Sequence, residues 1–263
     1  MISSQEIQDN LYSLYGDLAA SGLLTSGTAG GCRFVRHVTS AWPNMAYPDG
    51  PLNIPALVEA VKARSCPRLI LFEEAAVTSE LMAEMNRFRF VPAAHWINMT
   101  VVLGPGGMTV QQGEVTLALE RAERQRNGIL ECKIADPRNP ADWSDWSIVA
   151  EEVLFKKEKL AADLFRYGCE RGLFNLVTGY YNGRPVSTSL LYKGKLAGVY
   201  MVATLPPFQG KGFGKELMGF IGSVAAAEGY SDLVLHSTKP GVRLYEGLGF
   251  QPKGKLLLFY CMD

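Results

Sequence analysis

The chain has 263 residues, 48% of them hydrophobic, with 26 basic and 26 acidic side chains and therefore no formal net charge. That length accommodates one large domain or two ordinary ones with a sizeable core, and the charge balance points away from nucleic acid or an anionic membrane as partner. The opening MISSQEIQDNLYSLYGDL carries acids early and has no apolar core of signal length, and no apolar stretch is long enough for a membrane span, so neither secretion nor membrane insertion is expected. The cysteines at 32, 66, 132, 169 and 261 are odd in number and form no C-x-x-C pair. They read as reduced, mostly buried thiols of a cytoplasmic protein.

In chain order, residues 5–20 predict a helix with Ile7, Leu11, Leu14 and Leu18 along one side. TSGTAGG (25–31) reads as loop, CRFVRHV (32–38) as a strand, and the proline-rich 40–53 as irregular. A helix over 55–65 with Pro55 in its first turn precedes a short buried strand, RLILFE (68–73). Another helix over 78–88, capped by Thr78 or Ser79, leads to a strand over 96–104. GPGGM (104–108) interrupts the pattern, and 116–128 is polar enough for a solvated helix or linker. The pattern then restarts: a strand at 129–137, helical character over 145–172, and three strands in 175–204 separated by N-G and K-G turns. A helix over 215–229, strand 232–237, helix 241–249 and terminal strand 256–262 complete the chain. The expected organisation is an accessory domain over 1–115, a linker over 116–128 and a second domain over 129–263, of α/β (α+β) class with a mixed sheet. TSELMAEMNRFRFVPA (78–93) also echoes KPGVRLYEGLGFQPKG (239–254), with Phe90 on Phe250 and Pro92 on Pro252, which suggests a duplicated unit.

The stretch LPPFQGKGFGKELMGF (205–220) places three glycines and two lysines between a strand and a helix. Glycines allow a tight turn and a close approach of ligand to backbone, and the first helical turn has unpaired N–H groups and a partial positive charge. Lys211 and Lys215 add to it, so the stretch reads either as a pyrophosphate cradle or as a ligand-free tight turn. Walker A and dinucleotide motifs do not fit: Glu216 follows Gly214-Lys215, and the last place of G-x-G-x-x-G is Leu217.

The segment resembles motif A of the GCN5-related N-acetyltransferases (GNAT), [RQ]-x-x-G-x-[GA], through Gln209, Gly212 and Gly214, with Pro206 at a common upstream place. Leu244, Tyr245, Gly249 and Phe250 resemble the L-Y-x-x-x-G-F of motif B. The likeness covers about 130–263. It implies a mixed, mostly antiparallel sheet flanked by helices, and acetyl-CoA or another short acyl-CoA as ligand. By that likeness the amides of 210–215 (Gly210, Lys211, Gly212, Phe213, Gly214, Lys215) hold the pyrophosphate, and Met201, Val202 and Thr204 pair with the pantetheine arm. Tyr245 donates to the leaving sulfur. Thr238 stands where the family often has a pantetheine-contacting asparagine, a departure that puts this contact in doubt. The acceptor is a primary amine, by expectation a small molecule, and no metal is expected.

No general base is evident. His236 ends a strand, either as a group titrating near neutrality or as a polar strand end. Glu246 points away from Tyr245, and Cys261 reads as buried rather than acyl-carrying. In the first part Met85 takes the place of Tyr245, and Trp42, Asn44 and Tyr47 are candidates for an acceptor cleft or for loop packing. A non-catalytic acyl-CoA sensor and a nucleotide-binding module are the alternative readings, and the chain is monomer or homodimer.

Overall fold

The computed structural model describes residues 1–104, 107–108, 130–136 and 138–262. The expected linker over 116–128 lies outside them. Helix α1 (Ser4–Ala19) opens on a capping box, in which Ser3 and Glu6 satisfy each other's backbone amides. Strands β1 (Thr25–Ala29), β2 (Cys32–Arg36) and β3 (Asn44–Pro48) follow, then α2 (Ile54–Lys62), β4 (Leu69–Glu73) and α3 (Ser79–Arg87), capped by Thr78. β5 (Phe90–Gly104) is long, and the two-residue β6 (Gly107–Met108) folds back on it. The second part comprises β7 (Glu131–Ala135), α4 (Pro140–Leu154), α5 (Ala162–Glu170), β8 (Phe174–Tyr181), β9 (Arg184–Lys193) and β10 (Ala197–Thr204). It ends with α6 (Phe213–Ala227), β11 (Asp232–Ser237), the short α7 (Val242–Glu246) and β12 (Gln251–Cys261).

Three expectations are corrected. The 25–31 segment is not loop throughout: β1 pairs with β2 from Thr25↔Arg36 to Ala29↔Cys32. Its TSGTA has no apolar alternation because, as an edge strand, it is held by ladder bonds rather than by a buried face. The irregular 40–53 contains β3, whose Met45, Ala46 and Tyr47 are buried between β2 and β4. The helical stretch 145–172 is two helices with a break at 155–161.

The sheet is one continuous path, β1-β2-β3-β4-β12-β5-β11-β10-β9-β8-β7. Its centre interleaves the two parts. β12 lies between β4 and β5, and β5 lies between β12 and β11, so each part's last strand completes the other's edge. β3/β4 and β10/β11 are parallel, and every other pair is antiparallel. Alternation along the strands sends neighbours to opposite cores. Leu190 joins the cluster under α1, α4 and α5, whereas Leu191 joins the one under α6 and α7. Likewise Leu71 faces α1 while Ile70 and Phe72 face α2 and α3. Helix α1 also ties the two parts together. Tyr192 donates to Asp17 at 2.5 Å, and Asn10 accepts from the Leu196 amide at 3.2 Å.

Candidate functional site

The site begins where β10 leaves β11. The two pair only over 197–199 with 233–235, although β10 runs on to Thr204 and β11 to Ser237. β10 carries a bulge between Tyr200 and Ala203, with Met201 at φ 53°, a conformation rare for a side chain of that size. Beyond the bulge the β11-facing edge of β10 has no strand partner among the described residues.

After Thr204 a 3-10 turn over Pro206–Phe208 and two left-handed glycines, Gly210 (φ 75°) and Gly212 (φ 88°), bring the chain into α6. Gln209 Nε2 donates to the Thr204 carbonyl at 2.9 Å and closes this turn. That side chain braces the loop, and the Thr204 carbonyl is already engaged. Lys215 and Glu216 amides both bond the Gly212 carbonyl, at 2.9 and 3.1 Å. The amides of 210–214 are hydrogen-bonded to nothing among the described residues. A Cβ at Gly210 or Gly212 would meet nothing within 4 Å, so the space before these amides is open. Gly214 serves differently: its Cβ would stand 3.2 Å from Leu244 Cδ2, so its smallness lets α6 and α7 approach. Phe213 anchors the helix start, buried with its ring 5.0 Å from Tyr181. Lys211 lies outward, its ammonium 5.3 Å from the Phe208 ring centre.

One cavity of about 930 Å³ gathers nearly all the expected residues. Met201, Val202 and Thr204 line it from β10, and Gln209, Gly210, Gly212, Phe213, Gly214 and Lys215 from the turn and α6. Thr238 and Tyr245 line it from beyond β11. Of the residues expected at the coenzyme, Lys211 alone does not line it. Tyr245 is 8% exposed, with its ring edge-on to Phe250 at 5.6 Å. Burial pushes its phenol above the ordinary range, so it keeps its proton at neutral pH.

His236 also lines the cavity, with its ring near-parallel to Tyr200 (18°, 6.0 Å) and 6.1 Å from Trp96. Asn98, fully buried on β5, donates through Nδ2 to Ser4 Oγ at 2.9 Å, so its Oδ1 faces His236 Nδ1 at 2.7 Å as an acceptor. That arrangement makes Nδ1 the protonated nitrogen. Burial pushes the imidazole down to about 3, which favours the polar strand end over the group titrating near neutrality.

Trp42 and Asn44 line the cavity too; Tyr47 does not, being stacked on Tyr12 at 3.9 Å. Leu11, Leu14, Tyr15, Trp96 and Tyr200 went unnoticed in the sequence as site residues. Each reads there as an ordinary apolar helix or strand position, and only the interleaved sheet brings them beside His236. Glu246 is exposed, and Cys261 is buried in the core under α2 and α3.

Residues 173–252 match the sequence model of the acetyltransferase (GNAT) domain. This chain has a GNAT-type acetyltransferase fold. A GCN5-related N-acetyltransferase from Kribbella flavida superposes with TM-score 0.66 at 15% identity, covering 100% of this chain and 96% of its own. A conserved protein of unknown function from Staphylococcus epidermidis superposes at 0.58, with 10% identity and coverage of 90% and 93%. For a GCN5-related N-acetyltransferase from Sphaerobacter thermophilus the score is 0.55, with 14% identity and coverage of 82% and 71%. The GNAT fold places the glycine turn, the opened β10 edge and Tyr245 around one cavity, consistent with acyl-CoA-dependent transfer chemistry. Among the described residues no helix is long and apolar enough to cross a membrane, and no group of three His, Cys, Asp or Glu side chains stands ready for a metal.

Proposed function

We propose that the protein is an acetyl-CoA-dependent N-acyltransferase that transfers the acetyl group to a primary amine on a small molecule. The observation that carries this reading is the continuity of one cavity from the open amides of 210–214, along the unpaired β10 edge, to Tyr245. The amides and the α6 N-terminus suit a pyrophosphate, with Lys211 and Lys215 adding positive charge. Met201 and Val202 offer the backbone edge for the pantetheine arm, and Thr238 offers a hydroxyl beside it. With its carbonyl engaged by Gln209, Thr204 contributes contact surface.

When bound, the acyl-CoA supplies the acyl group as a thioester, whose C–S bond is replaced by a C–N bond to the amine. Tyr245 holds a proton on its hydroxyl for the departing sulfur. Water takes the proton lost by the amine nitrogen and returns one to Tyr245. β10 and α7 flank the reacting atoms and fix the approach of the two reactants.

The sheet order supports two copies of one unit, 1–115 and 129–263, joined by a linker over 116–128. From either end toward the centre it reads as a parallel pair followed by an exchanged strand: β3-β4-β12 and β10-β11-β5. The central β5/β12 ladder runs from Phe90↔Cys261 to Thr100↔Gln251. In the first copy fully buried Met85 replaces Tyr245, so that copy serves as scaffold and wall. The five free thiols favour a reducing, cytoplasmic setting.

Calorimetric titration with acetyl-CoA, paired with CoA-thiol release across a panel of amines, tests the proposal. One-to-one binding with amine-dependent release is expected. Binding without acylation of any amine would make the protein a sensor, and preference for ATP or NAD over acetyl-CoA would make it a nucleotide binder.

A further inference from the structure

We propose that the inner end of the cavity is the acceptor site, and that it takes a small primary monoamine with an aromatic or branched apolar body. This rests on the acyltransfer reading above and adds the acceptor's class. Beyond the Met201 bulge the cavity continues between α1 and β5, where Leu11, Leu14, Tyr15, Trp42 and Trp96 line it. Tyr200 and His236 extend the aromatic wall toward the β10 edge.

The wall is held in place by polar contacts behind it. Asn98 fixes the His236 ring, and Asn10 Nδ2 donates to the Tyr200 hydroxyl at 3.3 Å. Trp42 packs on Tyr15 and Phe165 at 6.1 and 5.5 Å. Such rings offer a large, pre-shaped apolar surface to a flat or branched ligand body. Both parts of the chain build it, which gives the first part a role in substrate selection.

Among the described residues no carboxylate lines this cavity. A polyamine or aminosugar would bring several charges into it without a counter-charge, a costly transfer. A monoamine enters as the free base, which is also the nucleophilic form, and buries its body against the rings. A recess of about 360 Å³, lined by Arg36, His37, Thr39 and Glu158, lies beside this end and shares Ala41 and Asn44 with the cavity.

The test measures CoA-thiol release at saturating acetyl-CoA with 2-phenylethylamine, isoamylamine, ethylamine, putrescine and kanamycin, and acetyl-CoA binding is measured separately by calorimetry. Burying a ring or branched chain should raise kcat/KM over ethylamine by about 10- to 100-fold. Putrescine and kanamycin should fall below ethylamine. Trp96→Ala should collapse the phenylethylamine-to-ethylamine ratio, and Trp96→Phe should largely keep it. Preference for putrescine or kanamycin would overturn the acceptor class while leaving acyl transfer intact. Binding of hexanoyl-CoA more than about 10-fold tighter than acetyl-CoA, without amine, would make the chamber an acyl-chain pocket and also overturn it. Acetyl-CoA bound with no amine acylated would remove the acyltransfer reading itself.

Discussion

Replacing Gly212 by alanine separates the cost of the turn from the cost to the ligand. Gly212 caps α6 at φ 88°, ψ −7°, a left-handed conformation that an L side chain adopts at about 1–2 kcal/mol. A Cβ there meets nothing within 4 Å, so no steric term adds to that figure in the ligand-free protein. The melting temperature should fall by roughly 2–8 °C, using about 2–4 °C per kcal/mol for a chain of this size class. The same methyl group projects into the space before the amides of 210–214, where the diphosphate is proposed to sit. Acetyl-CoA affinity should therefore drop by about 10-fold or more, roughly the loss of one or two hydrogen bonds to a charged group. Gly214→Ala is the control. It lies within the helix, where alanine gains roughly 0.5–1 kcal/mol, offset by the 3.2 Å approach to Leu244 Cδ2, so stability should hardly change. Calorimetry with acetyl-CoA and thermal melts of both variants give the comparison. A Gly212→Ala protein that melts lower yet binds acetyl-CoA at full affinity would refute the cradle, because the turn would then matter only to folding.

Tyr245→Phe removes the proposed proton donor; kcat should fall by about 100-fold or more with acetyl-CoA affinity unchanged, and a small effect would remove Tyr245 from the chemistry. His236 binds fewer protons folded than unfolded, because burial holds its pKa at about 3 against an ordinary 6.5. Its stabilising contribution is therefore complete above about pH 6.5 and lost as pH falls toward 3, and His236→Gln should flatten the drop in urea-unfolding stability between pH 7 and 5. Asn98→Ala leaves the His236 and Ser4 contacts unmet and should cost about 1–3 kcal/mol in the same assay. Because β12 sits between β4 and β5, residues 1–104 alone should not give a cooperative unfolding transition, whereas the whole chain should unfold in one.

Much of the local structure and the glycine turn were legible because their signals are local. The Gln209-to-Gly214 spacing and the Leu244–Phe250 run fall within single loops or helices, and all of the expected coenzyme-site residues and Tyr245, except Lys211, line one cavity. The strands without a pattern of their own were missed. TSGTA has no buried face to announce it, and β3 is hidden among prolines while its burial comes from β2 and β4. The interleaved centre was out of reach for another reason. Pairing between residues as far apart as Phe90 and Cys261 leaves no local periodicity, so the joining of Trp96, Asn98 and Ser4 to His236 was invisible. His236 shows the consequence: its strand end leaves a titrating group and a polar strand end both open, and the Trp96 and Asn98 side chains that decide between them come from the other part of the chain.

Hydrogen exchange with and without acetyl-CoA bears most directly on the cradle. The account predicts that saturating acetyl-CoA slows exchange in peptides spanning 200–215, with no change at the corresponding turn after β3, residues 49–54. Unchanged exchange across 200–215 at an acetyl-CoA concentration that saturates any calorimetric signal would contradict it.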